Sequence, residues 1–121
     1  MKKLLISFCF VLFSSISYAQ GSILSPNDCS SYGAAAANMS LLIEQGAKLS
    51  DIKALMDNES FNSLPQDIQT LLVTTAKFLI MLPQSDSPEV TYIGATEFCL
   101  AGGGDVEKMT LILEKTMGTE I

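Results

Sequence analysis

The chain has no histidine, no arginine and no tryptophan. Without histidine there is no imidazole base, no His-paired nucleophile and no usual zinc triad. Without arginine the common bidentate clamp for carboxylate or phosphate is missing too. Alternating apolar–polar strand patterns are absent throughout. These absences argue against an enzyme, imply no cofactor and point away from a β fold.

What is present begins with MKKLLISFCFVLFSSISYAQ. Lys2 and Lys3 form a basic start, Leu4 to Phe13 an apolar core, and Ser17 and Ala19 the small residues of a cleavage site. This reads as a secretory signal peptide over residues 1–19, too short for a comfortable transmembrane span. Bulky Phe8 before Cys9 argues against lipidation there. Cleavage near Ala19 leaves Gln20 to Ile121, one periplasmic or secreted domain with one modest core and no stable membrane insertion. That domain holds Lys48, Lys53, Lys77, Lys108 and Lys115 against thirteen carboxylates, a formal charge of −8. An acidic surface of this kind repels phosphate backbones, so no nucleic-acid partner is expected.

Two cysteines lie outside the leader, Cys29 and Cys99. An isolated pair in an oxidising compartment usually forms one disulfide. A redox pair normally keeps its thiols close in sequence, and zinc needs more ligands than two thiols, so a structural disulfide is expected and no metal site.

The periodicity predicts an all-α protein, a small bundle of four or five helices clamped by that disulfide. Gln20 to Asn27 reads as a loose leader. Asn27 or Asp28 then caps a first helix with Tyr32, Ala35, Ala36, Met39, Leu42 and Ile43 on one stripe, ended by Gly46. The alanines 34–37 read as a strong helix former packed inside the bundle. Ser50 is expected to cap a short helix to Asp57, and Asn58 to Ser63 to be a polar connector. Ser63 opens a third helix over about residues 65–82. It carries apolar side chains on most sides, so it is central or covered by another chain. Val73, Lys77, Ile80 and Met81 mark its candidate partner or dimer surface, and a homodimer through it is compatible with the sequence. Ser87 and Pro88 begin a fourth helix ending at Ala101 before Gly102-Gly103-Gly104, with Tyr92, Ala95 and Cys99 on one side. Asp105 caps the last, Val106 to about Met117.

Three motifs invite chemistry. Ser50 and Lys53 match Ser-x-x-Lys, the nucleophile and lysine of penicillin-recognising enzymes, but the companion motifs are absent and an N-cap serine beside a solvated lysine explains the pair. The segment AGGGD lacks the Gly-Lys-Ser/Thr ending of a P-loop and places Asp105 where a phosphate would sit, so a helix–helix turn is favoured over a phosphate nest. Asp57 with Glu59, and Asp105 with Glu107, lie in no calcium-loop pattern and read as solvated carboxylates.

Cys29 with Ala36, Met39 and Gly46, together with the position of Cys99, resembles a broad set of uncharacterised small secreted helical proteins of proteobacteria and their phages. The resemblance implies a helical fold with a cysteine pair and assigns no activity. In architecture the chain is also similar to small periplasmic acid-stress chaperones and to helical immunity proteins that neutralise cell-wall amidases. The leading expectation is a small exported periplasmic interaction protein that binds another protein, as an inhibitor or immunity factor. An acid-activated periplasmic chaperone is the alternative, and a Ser/Lys hydrolase a remote one.

Overall fold

The computed structural model describes residues 23–82 and 87–118. The signal peptide and Pro83 fall outside them. The described residues form six helices: α1 Pro26–Glu44, α2 Leu49–Met56, α3 Glu59–Asn62, α4 Gln66–Met81, α5 Pro88–Ala101 and α6 Val106–Thr116. They contain no strand, only an isolated bridge between Ile23 and Asp105. The expected all-α bundle is therefore the fold, with one short helix more than its upper count.

Local chemistry explains where each helix starts. Ser25, not Asn27 or Asp28, caps α1: its Oγ accepts from the Asp28 N–H (3.1 Å), while Asp28 Oδ2 accepts from the Ser25 N–H (3.4 Å). That reciprocal box places Pro26 in the first turn, where its missing N–H costs nothing. The leader is not loose up to residue 27, because Leu24 is 3% exposed and its N–H donates to the Gly104 carbonyl (2.8 Å). The other end of α1 closes as expected at Gly46: the Gly46 and Ala47 N–H groups reach back to Ile43 and Leu42.

Ser50 does not cap α2. Lys48 holds that position, and the Asp51 carboxylate, favoured in a helix's first turn, accepts its N–H (2.9 Å). The expected connector 58–63 contains α3, because Asn58 caps it through the Phe61 N–H (2.9 Å) and buries Phe61. Ser63 ends α3 instead of opening the next helix, and Pro65 stands at the N-cap of α4. Ser87 and Asp105 cap α5 and α6 as expected, accepting from Val90 (3.3 Å) and Lys108 (3.2 Å).

The core is gathered around α4, which packs against α1, α2 and α6. Ile68, Leu71, Leu72 and Ala76 of α4 meet Tyr32 and Met39 of α1, Ile52 and Met56 of α2, and Val106 and Met109 of α6 in one cluster. The central placement expected for this helix holds. Its outer third, Phe78, Leu79 and Leu82, is only half-buried.

The most extensive helix pair is α1 with α5. They run antiparallel, joined by Cys29–Cys99 with their Cα atoms 5.5 Å apart. One turn further along α1, Gly33 lies against α5 so closely that a Cβ there would collide with Thr96 Oγ1 and the Tyr92 carbonyl. At the far end of α5, Gly104 has φ +75° and leaves no room for a Cβ beside the Leu24 backbone. The turn after α5 thus seats the N-terminal segment.

Two outcomes follow from this interface. Closing a loop of 70 residues lowers the entropy of the unfolded chain, so Cys29→Ala/Cys99→Ala should lose about 4 kcal/mol of unfolding free energy, measured by urea denaturation with oxidised wild type as reference. Gly33→Ala should lose about 1–3 kcal/mol through overpacking, and Thr96→Ala on that background should recover part of the loss.

Candidate functional site

Two depressions open on either side of the contact between α4 and α6. The first, about 530 Å³, is lined by Leu49, Thr74, Lys77, Ile80, Met81, Glu114 and Met117. Three of the four residues expected at a partner surface, Lys77, Ile80 and Met81, are brought together here. Val73 does not line it, although like Ile80 it packs partly buried against the core. Met81 is 59% exposed. With Met117 it gives this face two unbranched thioether side chains, which adapt to differently shaped partners. Sequence spacing on α4 found half of this face. Glu114 comes from α6, Met117 from the cap that follows it and Leu49 from α2, and only the tertiary packing adds them.

The second depression, about 410 Å³, lies between α4, α5 and α6 over α1. Phe78, Leu79, Ala95, Phe98 and Ile112 contribute to its wall, and Val90 and Ile112 are exposed at its edge. It arises because α5 packs extensively on α1 alone and makes only slight contacts elsewhere. Its deep polar residues are Tyr32 and Thr75. Thr75 Oγ1 donates its single proton to the Leu71 carbonyl (2.8 Å), so the Tyr32 hydroxyl donates to Thr75 Oγ1 (2.8 Å). Nothing in the sequence pattern marked this cavity, because Tyr32 and Thr75 are 43 residues apart.

Other sequence candidates take structural places. Ser50 and Lys53 are both exposed on α2, and neither lines either of these two depressions. In the glycine turn, the N–H groups of Gly102, Gly103 and Gly104 all donate back into α5 and that of Asp105 to Gly102, leaving no anion nest. Asp105 caps α6, and Asp57 Oδ1 accepts from Asn62 (3.3 Å). Among the described residues no three His, Cys, Asp or Glu side chains gather as metal ligands, and no helix is long and apolar enough to cross a membrane. On α5, Tyr92 stands two turns before Cys99 on the same side of the helix, as expected, but is exposed, whereas Thr91 is buried. Of the apolar α6 residues, Val106, Met109 and Leu113 are buried, while Leu111 and Ile112 are exposed.

Compared with known proteins, the chain matches no family model, no curated protein and no solved structure. The reading of function therefore rests on these surfaces.

Burial pushes the Tyr32 phenol up to about 12. A raised folded pKa means that the folded state keeps the proton while the unfolded chain, at 10.0, gives it up. The stabilisation is complete below pH 10 and is lost as pH rises to about 12. Two units correspond to ~3 kcal/mol. In a Tyr92→Phe variant of the segment from Gln20, where Tyr32 is the one tyrosine left, phenolate absorbance should emerge only near pH 12 or on unfolding, and urea stability should fall across that window.

Proposed function

We propose that this is a small exported interaction protein that acts by binding another protein, in the manner of an inhibitor or immunity factor. The observation that carries the reading is the open face between α4 and α6, where Ile80, Met81 and Met117 surround a depression bordered by Lys77 and Glu114. An apolar centre with a charged border is the anatomy of a protein-binding surface. The disulfide supports an oxidising compartment, where such bonds form and persist. The charge of −8 on the segment from Gln20 favours a basic partner and speeds its approach.

Photo-crosslinking amino acids placed singly at Met81, Met117 and Leu100 of the exported chain test this. Leu100 is exposed on α5, away from the depression. Crosslinks to one basic protein from Met81 and Met117 but not Leu100 are expected, and Met81→Glu should weaken capture of that protein by roughly tenfold or more. Equal yields at all three positions would overturn the reading, as would products made only of a second copy of this chain.

A further inference from the structure

We infer that the cavity between α4, α5 and α6 is a binding site for an uncharged amphiphile: one apolar chain or ring system carrying a single hydroxyl. It lies on the other side of the α4–α6 contact from the proposed partner face and does not depend on that reading. Three observations select the ligand class. First, none of the described residues lining the cavity is charged, and a carboxylate or ammonium moved into such a place loses hydration that nothing returns. Second, the proton relay from Tyr32 to Thr75 to the Leu71 carbonyl engages both hydroxyl protons. That pair has only oxygen lone pairs left to offer, so it suits a ligand that donates a hydrogen bond. Third, Thr91 lines the same cavity at 8% exposure and brings a further hydroxyl to its wall. It can donate to the oxygen of the same ligand hydroxyl.

Size narrows the class further. A dry cavity of about 150 Å³ holds a benzene-sized ligand, which scales to at most about 16 heavy atoms for the 410 Å³ here. Val90 and Ile112, the large apolar lining residues exposed to solvent, mark the open side.

Three probes of equal length separate the contributions: 1-decanol, 1-methoxynonane, which keeps the oxygen but cannot donate, and decanoate. Binding is followed by methyl NMR shifts on the oxidised mature protein, with light scattering on the same samples. Saturable 1-decanol binding at Val90, Leu79 and Ile112 is expected, roughly fivefold weaker for the ether and at least about tenfold weaker for decanoate. Thr91→Val should weaken both neutral probes while keeping side-chain volume. Gly94→Phe is the blocking variant. Gly94 lines the cavity, and a Cβ there meets nothing within 4 Å. Replacing a helical glycine also favours α5, so the variant should fold and bind no probe. Decanoate binding as tightly as 1-decanol overturns the proposal, and so does 1-decanol binding unchanged by Gly94→Phe. A doubled mass with no probe bound assigns the face to a second copy and overturns it too.

Discussion

The close approach of α1 and α5 is the constraint on which the rest depends. An amphipathic helix normally holds its place by burying an apolar stripe, and α5 does little of that. Of its residues only Thr91 and Cys99 are fully buried, while Val90, Tyr92, Ile93 and Leu100 are exposed. What fixes α5 is a short-range fit. Gly33 lets the two backbones come close against Thr96 and Tyr92, and Cys29–Cys99 locks the pair one turn away. A domain of this size gains only about 5–15 kcal/mol on folding, so one covalent tie can decide whether α5 stays docked.

The same arrangement has a consequence on the other side of α5. Held by α1 and barely touching α4 or α6, it stands off from the bundle and leaves Phe78, Leu79 and Phe98 half-covered. Nearby, α6 packs on α4 through Val106, Met109 and Leu113 and cannot swing across to fill the gap without abandoning that contact. The cavity is thus a product of how α5 is attached. Apolar surface left open in this way is a binding surface or an aggregation liability, and its concave shape and placed hydroxyls favour the former.

The helices were legible in the sequence because their signals are local. Ser87-Pro88 and Asp105 set the starts of α5 and α6, Gly46 the end of α1, and the Cys29–Cys99 tie followed from counting. Where neighbouring candidates competed, pattern alone could not choose. Ser25 prevailed over Asn27 and Asp28 because Asp28 completes a capping box from the N3 position, and Asp51 displaced Ser50 by the same geometry. Phe61 turned an apparently polar connector into α3 because burying one ring outweighs the weak helix preference of its neighbours. The partner face on α4 was half-visible through Lys77, Ile80 and Met81. The residues that α2 and α6 add, and the whole of the second cavity, depend on tertiary packing that no single helix encodes.

The two depressions divide the chemistry between them in a way that follows from helical geometry. Along α4, Thr74, Lys77 and Met81 turn to one side, while Thr75, Phe78 and Leu82 turn to the other. Along α6 and its C-terminal cap, Glu114 and Met117 face the first side and Ile112, Leu113 and Thr116 the second. One hundred degrees per residue is enough to give the same two helices a charged, adaptable face and an uncharged, concave one. A hydrated charge at the edge of the first is inexpensive and helps select an oppositely charged surface, whereas any charge in the second would have to be stripped of water. The faces therefore suit different ligands. Because both are built on the α4–α6 contact, anything that shifts α6 along α4 alters the two together, whereas α5 lines only the second.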